Sequence, residues 1–300
     1  MKSTSLQLDV TSTLGLEVLG PDQRAVIAAT LHVPDEIPDG DIQLLYAIHG
    51  GGFSQLYWHP VYADESYSFA HYFSERGRAV LVIDMLGMGE SSRPEPESNL
   101  SRELIAAAHA SALEQVVADL ETSLGLPVNL TGIGHSMGGM MIITQAAAHP
   151  VFNRLIVMGW SNEPMQLGDT DVASLQEGLI PSGYIDAPAE PLRKLCYWHD
   201  VPENLILACE ANSSVTPASL GRAALTPGIV HADAAKIKVP VLLVQSTIDT
   251  SPSPDKELVY FSAAASVELQ IVKDAAHCQN FASGRAAHWA SLNDWIDRAI

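Results

Sequence analysis

Residues 127–150 read "PVNLTGIGHSMGGMMIITQAAAHP". An apolar strand-like run ends in a glycine-flanked serine and passes at once into a helical pattern stopped by Pro150. This stretch constrains the chain more than any other. A strand that turns directly into a helix needs tiny side chains at the corner, and Gly132, Gly134, Gly138 and Gly139 supply them. A merely structural corner has no need of the hydroxyl in its middle. The pentad Gly134-His135-Ser136-Met137-Gly138 fits G-x-S-x-G in the setting of a nucleophile elbow, where a serine stands clear of a sheet at a helix N-terminus. A dinucleotide reading fails, because the third glycine of G-x-G-x-x-G is replaced by Met137.

The rest of the chain repeats this rhythm. The first forty residues alternate apolar and polar positions, in "LQLDVTSTLGLEV" and "RAVIAATLHV", which predicts an antiparallel edge. Buried-strand runs "LLYAI", "RAVLVID", "NRLIVMGW", "VPVLLVQSTID" and "SVELQIVKDA" are separated by helical segments. These include a long amphipathic helix ending at Gly125, and a last one with Leu292, Trp295, Ile296 and Ala299 on one face. Alternation of this kind predicts an α/β fold, a mostly parallel sheet with helices on both faces. Residues 161–236 break the rhythm, with prolines, short helical pieces and no clear strand. The expected organisation is a core of residues 1–160 and 237–300 with a mainly helical cap, 161–236, inserted over the strand ends where open α/β sheets take ligands.

A serine hydroxyl needs a base. His277, in "KDAAHCQNF", directly follows the last strand. The base needs an acid to fix its tautomer, and Asp249 lies just past the preceding strand, with Glu163 in "GWSNEP" as the alternative. The tetrahedral oxyanion needs backbone donors. Candidates are the N–H of Met137 and one from Gly51 or Gly52 in "HGGGF". Phe53, Trp58, Trp160, Tyr184 and Trp198 are candidate pocket walls. The glycine-rich "DMLGMGESS" lacks the Gly-Lys-Ser/Thr end of a phosphate loop and reads as a structural turn in which Asp84 satisfies loop amides. With neither H-E-x-x-H nor an EF-hand pattern, no metal and no cofactor are expected.

Together these pieces resemble the α/β-hydrolase superfamily from about Leu44 to the C-terminus. HGGGF after the third strand, D-x-x-G-x-G-x-S after the fourth, GHSMGG after the fifth, then Asp249 and His277, stand in family order. The resemblance implies a serine hydrolase of the capped esterase or lactonase type, working through an acyl-enzyme. It leaves room for a carbon–carbon-bond hydrolase of vinylogous diketones or a thioesterase on the same triad. It leaves room too for a hydrolase-fold binding protein or cofactor-free oxygenase. Some relatives place the acid after the sixth strand, which keeps Glu163 open.

A net charge of −19, from 35 acidic and 16 basic side chains, argues against nucleic acid or an anionic membrane as partner and leaves a small-molecule ester or lactone. Three cysteines without a CxxC pair fit a reducing, cytoplasmic setting. The N-terminal twenty residues lack the apolar core of a secretory leader. No motif encodes an oligomeric state.

Overall fold

The computed structural model describes residues 1–15, 18–20, 22–179, 183–186 and 189–298. The chain runs β1 (Lys2–Asp9), α1 (Thr11–Leu14), β2 (Val26–Val33), β3 (Ile42–Ile48), α2 (Phe69–Ser74), β4 (Ala79–Ile83), α3 (Arg102–Leu124), β5 (Val128–His135), α4 (Met137–Ala148) and β6 (Arg154–Met158). Then follow α5 (Val172–Gly178), β7 (Tyr184–Asp186), α6 (Ala189–Cys196), α7 (Glu203–Ala211), β8 (Val215–Pro217), α8 (Ala218–Ala224) and α9 (His231–Ala234). The chain closes with β9 (Val241–Ser246), β10 (Val267–Val272) and α10 (Arg285–Ile296).

Eight strands form one sheet in the order β1-β2-β4-β3-β5-β6-β9-β10. β1 and β2 pair antiparallel at one edge, β2 runs antiparallel to β4, and all other pairs are parallel. The antiparallel edge foreseen from alternation is therefore present. The predicted strand over 6–18 stops at Asp9, however, and a one-turn helix follows. Leu16 and Glu17 of that run, and Ala299 of the last helix, lie outside the described residues.

Successive residues of β3 feed opposite faces of the sheet, as its pleat requires. Leu44, Tyr46 and Ile48 join the core cluster that contains α3 and α4, while Leu45 and Ala47 join the one that contains α2 and α10. Helices cover both faces, so β3, β4, β6 and β9 are almost wholly buried and read as continuous apolar runs. Helix α3 starts where the Ser101 hydroxyl accepts the Leu104 N–H at 3.1 Å and stops at Gly125, whose φ of 67° is left-handed.

Register decides where chemistry can gather. Ile48 of β3 stands beside Ile83 of β4 and Gly134 of β5. His135 of β5 stands beside Met158 of β6, which stands beside Val244 of β9. The loops leaving β3, β5, β6 and β9 thus emerge along one rim.

Described residues of the segment 161–236, among them Leu167, Leu175, Leu195 and Leu225, line one cavity together with Ser136 and His277 at that rim. Where the sequence shows no clear strand, β7 and β8 pair in a small antiparallel ribbon, with Tyr184 opposite Pro217. Three-residue strands are too short to show a period. The far end of the segment joins the core: Val230 and Ala234, at and in α9, are fully buried among residues of α4.

Candidate active site

Ser136 is one of two residues other than glycine with positive φ among the described residues, at φ 55° and ψ −122°. That region costs a side-chain-bearing residue about 1–3 kcal/mol. The corner survives because the surrounding backbone leaves no other path. A Cβ on Gly134 would lie 2.1 Å from the Gly138 carbonyl oxygen, and one on Gly138 would lie 2.3 Å from the carbonyl oxygen of Ile48. The Ser136 N–H donates to the Met158 carbonyl at 2.7 Å, fixing the turn to β6. The hydroxyl does not cap α4 and makes no hydrogen bond among the described residues. It is partly exposed on the wall of a cavity that His277 also lines.

His277 Nδ1 lies 2.6 Å from Asp249 Oδ1. An ionised carboxylate only accepts, so Nδ1 carries the hydrogen and Nε2 is left able to take a proton. Asp249 is itself held by the N–H groups of Ser246 and Thr250, each at 2.8 Å, and by Gln279 Nε2 at 3.2 Å. Burial pulls the His277 imidazole down, but the charge and hydrogen bond of Asp249, aided by the nearby Cys196, raise its pKa above the ordinary value overall. The neighbouring His135 has no such counter-charge. Burial, followed by the proximity of His277, holds it well below the ordinary histidine range. As a neutral ring, His135 donates from Nε2 to the His277 carbonyl at 2.9 Å and stacks on Tyr57 at 4.4 Å.

Glu163 is engaged elsewhere: its carboxylate accepts from the Tyr260 hydroxyl. The structure brings Asp249, and not Glu163, to His277. The reason lies at the end of β6, where Gly159 with φ 60° leaves space for the imidazole and the chain has turned away before residue 163.

In the HGGGF turn, His49 Nδ1 donates to the Gly50 carbonyl at 2.8 Å, and His49 Nε2 accepts from the Met85 N–H at 3.1 Å. A trans peptide points its C=O and N–H in opposite directions. Pinning the Gly50 carbonyl therefore aims the Gly51 N–H the other way, and Gly51 lines the cavity. The N–H of Gly52 is already used, donating to Thr216 Oγ1 at 2.9 Å. Of the three candidate donors, Met137 and Gly51 are the two whose N–H groups have no acceptor among the described residues. Asp84 accepts from the N–H groups of Gln55 and Glu90 at 2.6 and 2.9 Å, the structural role its turn suggested.

The cavity has a volume of about 370 Å³. Phe53 and Trp160 line it. Trp58, Tyr184 and Trp198 do not, and correct the sequence-based expectation. Trp58 is fully buried against Tyr57 and Phe69, Tyr184 donates to the Pro94 carbonyl at 2.6 Å, and Trp198 lies tilted against the ring of His199. The walls are instead aliphatic: Leu175, Leu179, Leu192, Leu195 and Leu225 descend from the segment above the rim. Their helical spacing in the sequence marked an apolar face without saying what it would cover.

Residues 45–288 match the model of the alpha/beta hydrolase family, and the chain belongs to that family. Solved structures agree in fold. A bromoperoxidase from Bacillus anthracis superposes with a TM-score of 0.64 at 17% identity, covering 98% of this chain and all of its own. A thermophilic esterase from Thermogutta terrifontis gives 0.64 at 15%, covering 97% of this chain and 98% of its own. An N-acyl homoserine lactonase in complex with N-hexanoyl homoserine gives 0.57 at 17%, covering 98% and 95%. The search of curated proteins gives no match. No helix among the described residues is long and apolar enough to cross a membrane.

Proposed function

We propose that this hydrolase cleaves a neutral carboxylic ester or lactone through a covalent acyl-enzyme on Ser136. The observation that carries the reading is a strained, uncapped serine sharing one cavity with an imidazole whose Nδ1 is fixed by a buried carboxylate. In this reading Ser136 Oγ attacks the substrate carbonyl while His277 Nε2 takes its proton. Asp249 holds the imidazole in the reactive tautomer and stabilises the imidazolium. The N–H groups of Met137 and Gly51 receive the oxyanion, an interaction worth about 3–4 kcal/mol per donor. His277 then protonates the leaving alcohol and activates the water that releases the acid.

Residues 161–236 act as the cap in this account, because they supply the aliphatic half of the cavity. Among the described residues the lining contains no lysine or arginine, and its one carboxylate is Asp186. A substrate carrying its own carboxylate would meet no counter-charge. This favours a neutral, apolar acyl group of up to about a dozen heavy atoms, taking about 30 Å³ for each. By their names the solved neighbours include an esterase and a lactonase, in keeping with this reading, and also a thioesterase domain.

The test is a panel of neutral p-nitrophenyl esters from acetate to octanoate, with alkyl lactones, on the wild-type chain and Ser136→Ala. Turnover by the wild type, lost in the variant, with a fluorophosphonate attached at Ser136, supports the reading. Undiminished turnover by the variant refutes it.

A further inference from the structure

Cys196 ends helix α6 and lines the cavity, partly exposed. Cys278 follows His277 directly and is buried. The two segments are joined by consecutive peptide hydrogen bonds: the His277 N–H donates to the Leu195 carbonyl at 3.0 Å, and the Cys278 N–H to the Cys196 carbonyl at 2.9 Å. A single N–H···O=C bond of that length leaves the Cα atoms of its donor and acceptor residues about 5–6 Å apart, by the covalent and hydrogen-bond geometry that links them. That lies within the range of Cα separations that disulfides span.

We propose that Cys196 and Cys278 form a peroxide-reactive thiol pair that closes to a disulfide, tying the end of α6 to the histidine loop. The two cysteines have different parts. The hydrogen bond from the Cys278 thiol, with His277 close by, holds the Cys196 thiol below the ordinary range despite burial. Burial raises the thiols of Cys278 and of the third cysteine, Cys209. Cys196 is thus the attacking sulfur. It takes one oxygen from hydrogen peroxide to give a sulfenic acid and one water. The Cys278 sulfur then displaces the sulfenic hydroxyl, which leaves as a second water with the Cys278 proton, and the S–S bond forms. Two thiols and one peroxide give one disulfide and two waters. Dithiothreitol reverses the step. The pairing reads the same whether or not Ser136 is a nucleophile.

The full-length chain is treated with stoichiometric hydrogen peroxide, alkylated and digested with trypsin and then at glutamate. Trypsin alone leaves Cys196 and Cys209 in one fragment, residues 195–222, and cleavage after Glu203 separates them. The expected product is fragment 195–203 linked to 274–285, two hydrogens lighter than the sum, absent after dithiothreitol and still formed in Cys209→Ser. A link from Cys209, or peroxide consumption that ends in sulfinic acid at Cys196 with Cys278 still alkylated, overturns the proposal. So does an unchanged count of three free thiols.

Discussion

Gly159 and His277 share a boundary with no slack: a Cβ on Gly159 would stand 2.8 Å from both Cε1 and Nδ1 of the imidazole. The glycine also adopts φ 60°, and the Thr250 hydroxyl donates to its carbonyl at 2.9 Å, so the backbone there cannot easily yield. Gly159→Ala is therefore expected to push the imidazole rather than move the strand end. A displacement of about 1 Å costs on the order of a hundredfold in turnover. Measurement of kcat on a neutral ester, with Tm as a control for folding, checks this.

The two carboxylates once competing for His277 should separate cleanly. Asp249→Asn keeps the size of the group but allows the amide NH2 to face Nδ1, which favours the wrong tautomer. Turnover should fall about 10³–10⁴-fold. Glu163→Gln touches only the contact with Tyr260 and should leave kcat within a few-fold. Equal losses in both variants would overturn the assignment.

The pH profile follows from the same pair. A base acts when unprotonated, so kcat/KM should rise with pH through the pKa of His277 in the free enzyme. Because Asp249 lifts that pKa, the acid limb should lie above the ordinary histidine value. In Asp249→Asn the lifting charge is gone and burial acts without it, so the limb of the residual activity should move to lower pH. A limb that stays in place would mean that another group titrates.

How much of this was open to inspection in the sequence depends on the range of the forces involved. The elbow was legible because steric exclusion at Gly134 and Gly138 is local and leaves a glycine signature. The mostly parallel sheet followed from apolar runs that the sheet buries on both faces, whereas the order of its strands came only with the structure. The sequence favoured Asp249 over Glu163 by position past a strand, but it could not show how the contact is made, since that depends on Gly159 making room for a ring 118 positions later in the chain. Nor were the cavity walls legible. Aromatic residues drew attention to Trp58 and Trp198, but the first packs against Phe69 of α2 and the second lies against its neighbour His199. Leucines at helical spacing, which look like ordinary core, line the cavity instead. The choice of Gly51 over Gly52 rested on a hydroxyl from Thr216, far along the chain.

Strain at the elbow predicts a trade between stability and chemistry. Ser136→Gly removes the Cβ from a conformation that glycine adopts freely. Part of the gain is offset by the greater freedom of the unfolded chain. A net stabilisation of about 1 kcal/mol is expected, or about 2 °C in Tm, together with loss of ester turnover. Calorimetry on the two proteins decides it, and a lower Tm in the variant would show that the conformation is not strained.

Glu97 offers a way to test whether the segment above the rim governs access. This carboxylate is 1% exposed and belongs to the loop before α3. It accepts from the Gly183 N–H at 2.9 Å and from both the N–H and hydroxyl of Ser219, at 2.7 and 2.5 Å. One core residue thus fastens the turn into β7 and the start of α8, and both elements carry cavity walls. Glu97→Gln preserves shape but replaces one acceptor by a donor, which then faces an N–H or hydroxyl that still needs an acceptor. The cost is about 1–3 kcal/mol, and it falls on the attachment of the segment above the rim, because the Asp249–His277 pair receives nothing from Glu97. KM for a cavity-filling ester such as the octanoate should rise several-fold while kcat for the acetate changes little. Limited proteolysis between residues 168 and 225 should quicken. If KM and the digestion pattern both match the wild type, Glu97 does not hold the segment in place. If kcat on the small ester falls as far as on the large one, the damage has spread to the catalytic loops and the segment is not acting as a separate lid.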